Sequence, residues 1–274
     1  MKKNINRLSD DFTGIEVISN AKTISFADEW YEYTSESHFW FQWRFKVMLQ
    51  QIKELDLPIN KKLKVLEVGS GTGLLRKQVE SVTSWIIDGA DLNIEALLQA
   101  KQGRGKNILY DVFDESELLL EAYEIVILFD VLEHIKETKP FIKSVLRHIK
   151  PGGLLLINVP AFQSFYSSFD EVMGHFRRYN KKSLIDEFKD FNLEVVDIRY
   201  WGLSMLLLLV LRKALMMALK LKKADTVRLG FNFPGPLASF FQNSLRAIMY
   251  LETTVFSAPP LGTSILMASR KLKE

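Results

Sequence analysis

Short apolar runs alternate with amphipathic stretches along most of the chain. Seven runs rich in β-branched and aromatic residues predict β-strands. They are Lys64–Val68, Trp85–Asp91, Asn107–Asp111, Tyr123–Asp130, Leu154–Val159, Leu193–Ile198 and Ser264–Arg270. The stretches that predict helices between them are Leu74–Glu80, Asn93–Gln102, Thr138–Ile149 and Lys181–Phe188. Strands that alternate with helices form βαβ units, so the pattern predicts an α/β fold with a doubly wound, mostly parallel seven-stranded sheet and helices on both faces.

Additional segments flank this predicted core. Residues 1–57 are interpreted as an N-terminal helical cap, in which Phe39–Ile52 reads as a helix with its apolar side chains near one face. That helix either packs on the core or contributes its aromatic rings to a substrate lid. The core is placed at 58–200, with 161–180 as a cap over its pocket, and 262–274 supplies the last strand of the sheet.

A helical insertion is predicted at residues 201–261, before the last strand. Between Arg199 and Lys223 the chain has six basic residues and no acidic residue. This pattern is typical of a basic amphipathic helix that lies in a membrane interface, here through 201–223. The alternative is a helix buried against the domain or in a homodimer. The longest apolar run, Met205–Leu211, is far shorter than the ~20 residues that a membrane-spanning helix needs.

Composition narrows the possible chemistry. The chain has 274 residues, 36 basic and 33 acidic side chains, and no cysteine. The absence of cysteine excludes disulfides, thiolate metal sites and a cysteine nucleophile, and it fits a cytoplasmic protein, either free or at the inner face of the membrane. The nearly even charge balance gives no argument for a nucleic-acid partner, and none is expected.

A glycine-rich turn, Gly69-Ser70-Gly71-Thr72-Gly73, leads from the first predicted core strand into a helix. Such a turn lets a ligand approach the backbone and meet free N–H groups at the helix N-terminus. Leu74 stands where a dinucleotide-binding fingerprint needs its third glycine or alanine, which disfavours a nicotinamide dehydrogenase. Asp91 and Asp111 end the next two strands, so both acids should meet the turn at the carboxyl edge of the sheet, where ligands bind in open α/β folds.

Four segments resemble, in order and spacing, the motifs of class I S-adenosylmethionine (SAM)-dependent methyltransferases. They are Val65–Gly73, Phe129–Ile135, Leu146–Gly153 and Ile157–Pro160. The resemblance extends to small-molecule, sugar and quinone methyltransferases of this class. It implies a Rossmann-like fold, SAM as the cofactor and S-adenosylhomocysteine as the product.

The resemblance also implies which residues bind the cofactor. The loop glycines would admit its methionine end, Glu67 would order the loop, Asp91 would take the ribose hydroxyls and Asp130 would lie near the sulfonium. Asp111 and the backbone of Val112 would address the adenine. The full set is Glu67, Gly69, Ser70, Gly71, Gly73, Asp91, Leu92, Asp111, Val112 and Asp130. The alternative for each acid is a surface carboxylate or a helix cap, or, for Glu67, a structural role.

Candidate catalytic residues follow the fourth and fifth core strands. His134 is the first choice for a base, because it follows the fourth strand beside the expected methyl group, and Glu133 could assist it. His175 is the third candidate. It lies in Gly174–Tyr179, which is similar to a Gly-His-x-Arg-Arg-Tyr segment of methyltransferases found among sugar and cell-envelope genes. No metal-binding cluster is visible in the sequence, and no metal is predicted.

The acceptor-binding candidates are His38, Arg177, Arg178 and Tyr179. The two arginines would hold a phosphate or carboxylate of the acceptor, or else brace the cap through salt bridges. The leading hypothesis is methyl transfer from SAM to oxygen of a small or lipid-linked acceptor, such as a sugar, a glycolipid or a quinone-like phenol. The alternatives are N-methylation of an amino sugar and a non-catalytic SAM-binding module.

Overall fold

The structure is a computed structural model, and it describes residues 14–19, 38–218 and 237–273. One eight-stranded sheet forms the centre of the molecule, in the order β1-β4-β3-β2-β5-β6-β8-β7. Its strands are β1 Ile15–Val17, β2 Lys64–Val68, β3 Ile86–Asp91, β4 Asn107–Leu109, β5 Tyr123–Phe129, β6 Ile149–Pro160, β7 Leu193–Trp201 and β8 Ser264–Lys271. Strands β1 to β6 pair in parallel, and β8 runs antiparallel to both of its neighbours. The predicted mostly parallel α/β sheet is therefore confirmed.

The described α-helices are α1 Phe39–Glu54, α2 Leu74–Val82, α3 Ile94–Gln99, α4 Thr138–Arg147, α5 Ser168–Val172, α6 Lys181–Phe188, α7 Leu203–Ala218 and α8 Leu237–Val255. They cover both faces of the sheet, because strand side chains alternate in direction. Leu66 of β2 packs in the apolar layer under α4 and α6. Its neighbour Val65 packs in the opposite layer, with α1, α2, α7 and α8.

The sheet has eight strands where the sequence pattern predicted seven. The additional strand, β1, lies at the edge and pairs with β4 through the register Ile15↔Asn107. It falls within 1–57, the segment interpreted as a helical cap. A three-residue strand contains a single apolar–polar alternation, which is too short to distinguish from a loop.

Helix α1 packs on the core through a mainly aromatic face. Phe39, Trp43, Met48 and Ile52 are all buried in the apolar layer that contains Val65. Trp40 adds a ring contact to Trp201 of β7, with 4.6 Å between the ring centroids. The first interpretation of this helix, packing on the core, is therefore the one that the contacts show.

The insertion begins close to the predicted residue 201, because β7 ends at Trp201 and α7 starts at Leu203. Arg199, which was counted among the six basic residues of this stretch, lies in β7. It is buried, with ion pairs to Asp197 and Glu54 at 2.7 Å each. Three more of the six basic residues, the lysines at 220, 222 and 223, lie outside the described residues. Among the described helices, none has the length and apolar character needed to cross a membrane.

Candidate active site

The glycine turn, Gly69 to Gly73, sits at the carboxyl end of β2 and is held against β3. The N–H groups of Gly69 and Ser70 both donate to the carbonyl oxygen of Ala90, at 2.8 and 3.1 Å. Gly69 has φ +75°, and a Cβ there would lie 2.5 Å from Val131 Cγ2. Only glycine fits this close approach without displacing its neighbour. Gly73 ends the turn as the N-cap of α2 and offers no side-chain cap to the first N–H groups of that helix, which suits an anionic ligand group.

Asp91 ties the turn to the end of β3. Its Oδ2 accepts the N–H of Gly71 at 2.7 Å, and its Oδ1 accepts the N–H of Asn93 at 2.8 Å. Burial raises the pKa of Asp91, and the backbone donors Asn93, Gly71 and Leu92 oppose that shift. Each carboxylate oxygen has a second lone pair, so the side chain can also accept from hydroxyl groups. Asn93 is the N-cap of α3, as predicted.

Glu67 is buried beneath the turn, and its Oε2 has no hydrogen-bond partner. Burial raises the pKa of Glu67 to about 7, against the opposing charges of Arg44 and Arg76. An unpartnered buried acceptor is costly unless a donor reaches it, so this oxygen is available to a ligand or a water.

The raised pKa of Glu67 makes it a source of pH-dependent stability. The folded chain holds this proton more tightly than the unfolded chain, whose carboxyl titrates near 4.5, so the group lowers stability progressively between about pH 4.5 and pH 7. The free energy of unfolding of Glu67→Gln, taken relative to the wild type, is therefore expected to rise by about 2–3 kcal/mol from pH 5 to pH 8. Urea unfolding of both proteins at the two pH values measures this difference, and a pH-independent difference would contradict the assignment.

Asp111 and Val112 lie at the end of β4. Asp111 Oδ1 accepts the N–H of Phe113 at 2.9 Å and so caps the short 3₁₀ turn Val112–Asp114. Its own N–H donates to Ser19 Oγ at 2.8 Å, beside β1. Val112 is buried in the core. The geometry thus gives Asp111 the helix-cap role that was its alternative, and a contact of either residue with adenine stays a prediction.

Asp130, at the end of β5, is held by a residue that sequence reasoning missed. Arg44, on the inner face of α1, forms an ion pair with Asp130 Oδ2. Asn158 of β6 donates to Asp130 Oδ1 at 2.5 Å and accepts from Trp201 Nε1 at 2.9 Å. Arg44 also acts electrostatically on Glu67 and therefore links the cofactor side of the site to its floor.

Three candidate catalytic groups lie together behind Asp130. Glu133 and His134 form part of the 3₁₀ turn Leu132–His134, and His175 comes from the cap after β6. The rings of His134 and His175 meet edge to face, with centroids 4.7 Å apart. Burial and the neighbouring His175 lower the pKa of His134 to about 4. Burial and the charge of Asp130 raise the pKa of Glu133 well above its usual range, and the His134 ring is neutral at neutral pH.

The same cluster has dimensions that suit a small cation. One potential ligand atom from each of Glu133, His134 and His175 lies within 4.8 Å of the others. The sequence predicted no such cluster, because His175 is 41 positions from His134 and only the fold brings them together.

A second missed residue, Asp170, orients His175. The fully buried Asp170 carboxylate accepts from His175 Nδ1 at 2.9 Å and from Arg178 Nε at 2.7 Å. Burial alone would raise the pKa of Asp170, but the hydrogen bonds from His175 and Arg178 outweigh it and hold the pKa well below its usual range. Ser167 and Asp170 form a capping box at the start of α5. That Ser-x-x-Asp signal is readable in the sequence, although it does not reveal the contact with His175.

The four predicted acceptor-binding residues all have protein contacts. Arg177 donates to the carbonyl oxygen of Lys136 at 2.6 Å and lies 3.7 Å from Glu187 Oε1. Arg178 is engaged by Asp170, so the contacts favour the alternative interpretation, in which both arginines brace the cap. The reason is the same for both arginines, because each guanidinium group already contacts an acceptor of the protein itself.

Tyr179 and His38 also have positions that limit an acceptor-binding role. Tyr179 is 1% exposed and forms a bridge to Ala161 at the base of the cap. His38 is the N-cap of α1, where its Nδ1 accepts the N–H of Trp40 at 3.3 Å. The structure therefore assigns both residues local structural contacts.

Taken together, the residues at this edge fit SAM. The unpartnered Glu67 oxygen and the remaining lone pairs of Asp91 suit an ammonium group, a water or ribose hydroxyls, and the N-terminus of α2 suits a carboxylate. All of these groups lie at the carboxyl ends of parallel strands, as the sequence predicted.

Solved structures define the class of this fold. Phosphoethanolamine N-methyltransferase 2 of Haemonchus contortus, in complex with S-adenosyl-L-methionine, aligns with a TM-score of 0.51 and 16% identity, covering 81% of this chain and 52% of that one. A SAM-dependent methyltransferase from Archaeoglobus fulgidus aligns with a TM-score of 0.50 and 13% identity, covering 85% of this chain and 99% of that one. At these identities the likeness shows a common fold, that of the SAM-dependent methyltransferases.

The family follows from the sequence. The family model Methyltransf_23, described as a methyltransferase domain, matches residues 40–198. The match spans more than half of the chain, so the chain belongs to this methyltransferase family. The predicted class, a SAM-dependent class I methyltransferase domain, is confirmed.

Curated relatives are similar over a shorter stretch. The ubiquinone biosynthesis O-methyltransferase of Rickettsia akari is 38% identical over 103 residues, which is 35% of this chain and 40% of that protein. The same enzyme of Rickettsia typhi is 34% identical over 121 residues, or 42% of this chain and 48% of that protein. The chain thus spans less than half the length of these relatives.

Proposed function

We propose that the protein transfers a methyl group from SAM to an oxygen atom of a small or lipid-linked acceptor, with a quinone-like phenol as the leading class. The carrying observation is the continuity of the site. Arg44 acts electrostatically on Glu67 below the glycine turn and pairs with Asp130, and the charge of Asp130 acts on His134. The His134 ring contacts His175, which a buried carboxylate orients. Methylation of a hydroxyl requires a cofactor-binding site next to an oriented base, and this arrangement provides both.

The chain's own residues account for positioning and proton transfer. SAM supplies a methyl group on a sulfonium, which is already activated for displacement. Asp91 and the glycine turn fix the donor side, and the Arg44–Asp130–Asn158 network fixes the floor between donor and acceptor. Alignment of this kind supplies much of the acceleration in a transfer between two bound groups.

His175 is the best-placed base for the acceptor hydroxyl. Its Nδ1–H donates to Asp170, so Nε2 is left to accept a proton. The Asp170 carboxylate then stabilises the imidazolium cation that forms. His134, the first choice from the sequence, has a pKa of about 4 and is a weaker proton acceptor at neutral pH. Burial and the charge of Asp130 raise the pKa of Glu133, which favours its protonated form and suits it to donate a hydrogen bond to the acceptor oxygen.

The relatives support the choice of acceptor. Those named ubiquinone biosynthesis O-methyltransferases share the stretch of similarity with this chain. An oriented base is needed for a phenol or an alcohol, since the oxygen must lose its proton during transfer. We place the protein in the cytoplasm, on the side of the membrane where SAM is available.

The product of one reaction tests this proposal. The protein is incubated with methyl-labelled SAM and an extract of the source cells, and the label is separated into organic and aqueous fractions and identified by mass spectrometry and NMR. The expected result is enzyme-dependent label on oxygen of an organic-soluble product. Label on nitrogen would instead establish the amino-sugar alternative, and no transfer to any component would contradict the assignment as an enzyme.

A further inference from the structure

Helix α7 turns an apolar stripe outward. Leu207, Val210, Leu211 and Ala214 are exposed at spacings of three and four residues, so they share one side of the helix. The three larger side chains are 61%, 47% and 66% exposed. A surface helix normally presents polar residues there and buries its apolar side. In α7 the inner side is also apolar, because Met205 and Leu206 are buried.

The neighbouring helix α8 also exposes an apolar stripe. Ala247, Ile248, Leu251 and Val255 are exposed and follow one another at helical spacing, and Leu251 and Val255 are 65% and 61% exposed. The opposite side of α8 is fixed to the domain, with Leu245 and Met249 in the core. Helix α8 therefore already packs on the domain through its other side, and its exposed apolar stripe is additional to that packing.

A buried carboxylate locks the two helices together. Glu252 of α8 accepts the N–H groups of Gly202, Leu203 and Ser204 at 3.1, 2.9 and 2.6 Å. These are donors at the N-terminus of α7, which an acidic group caps and stabilises. The two stripes, Leu207–Ala214 on α7 and Ala247–Val255 on α8, thus lie on two helices that are hydrogen-bonded to each other, called here the outer helix pair.

The charge of the adjoining sequence indicates what covers this pair. The stretch 212–228 has six basic residues and one acidic residue, a net charge of +5 in a chain whose total is +3. The rest of the chain is therefore slightly negative. In a two-fold dimer formed through α7 both copies would carry this positive charge, which disfavours their association. An anionic lipid surface matches both the apolar stripes and the charge.

We infer that the outer helix pair is a docking surface for a membrane that contains anionic lipids, on which the protein lies without crossing it. The candidate active site and the outer helix pair are neighbours in the sequence. Helix α7 begins two residues after Trp201, whose indole donates to Asn158 beneath Asp130. A lipid-soluble acceptor would then reach the site from the bilayer on which the enzyme rests.

Vesicle flotation with the full chain tests the inference, with no SAM or acceptor present, so the result is independent of the proposed function. The protein is expected to float with vesicles of phosphatidylglycerol and phosphatidylcholine and to stay unbound with phosphatidylcholine alone. Leu207→Glu combined with Leu211→Glu should weaken the binding at least about tenfold, since it places two charges in the apolar stripe.

Matched variants keep the test decisive. Leu118→Glu changes a leucine that is 78% exposed in the loop between β4 and β5, away from the outer helix pair, and should float as the wild type does. Ala214→Glu alters the same stripe with the smallest change of packing and should also weaken flotation; circular dichroism confirms that each variant is folded. Wild-type protein that does not float, or stripe variants that float normally, would overturn the inference. It would equally be overturned if the stripe variants convert a dimer to a monomer while flotation is unchanged.

Discussion

Replacing His175 with asparagine is expected to lower kcat for the proposed methyl transfer by about 10²–10⁴-fold, the usual contribution of a positioned base. An asparagine amide can still donate to Asp170, 2.9 Å from the present Nδ1, so the cap keeps its contact while the basic nitrogen is lost. The variant should also lose the limb of the pH–rate profile that reports the base. Steady-state kinetics between pH 5 and pH 9 measures both effects.

Two companion measurements separate the role of the base from its alternatives. Asp170→Asn is expected to reduce kcat by about tenfold or more with a smaller change in KM, because it removes the charge that orients and stabilises His175. Chelation of divalent cations should leave the wild-type rate unchanged. If chelation abolishes activity and a divalent cation restores it, the cluster of Glu133, His134 and His175 acts through a metal and the base assignment is wrong.

Asp91→Ala is expected to abolish measurable binding of S-adenosylhomocysteine while the domain stays folded. The change removes the acceptor of the Gly71 and Asn93 N–H groups, and with it the group proposed to take the ribose hydroxyls. Two unsatisfied N–H groups cost about 1–3 kcal/mol each, which a domain of this size can tolerate.

The controls for this variant lie nearby. Asp91→Asn keeps one oxygen acceptor with nearly the same shape, so it should bind weakly and lose less stability than Asp91→Ala. Asp114→Ala removes an exposed acid from the turn after β4 and should leave binding unchanged. Near-normal affinity in a folded Asp91→Ala protein, measured by titration calorimetry, would rule out this residue as the ribose group.

The sequence predicted the sheet well because its signals are local. Buried strands, the N-cap Asn93 and the glycine turn each depend on residues within a few positions of one another, and all were found in the structure. The strand Ile15–Val17 escaped because its three residues carry too little periodicity, and its stability comes from pairing with β4. Strand β7 extends beyond the predicted Leu193–Ile198 and includes Arg199, which forms ion pairs with Asp197 and Glu54.

The site was only partly predictable for a related reason. Asp91 and Asp130 could be predicted because each lies at the end of a strand that the sequence pattern identifies. Their partners could not, because Arg44 is 86 positions from Asp130 and is brought to it only by packing of α1. The choice between His134 and His175 likewise depends on burial and on Asp170, neither of which a linear pattern contains.

Calorimetric titration of the wild-type protein with S-adenosylhomocysteine, and separately with NADH, tests the central claim most directly. The carboxyl edge of the sheet, with Glu67, Asp91 and the glycine turn, should bind S-adenosylhomocysteine in one site per chain and should not bind NADH. Binding of NADH without binding of S-adenosylhomocysteine would contradict the account, and it would identify the glycine turn as a dinucleotide site despite Leu74.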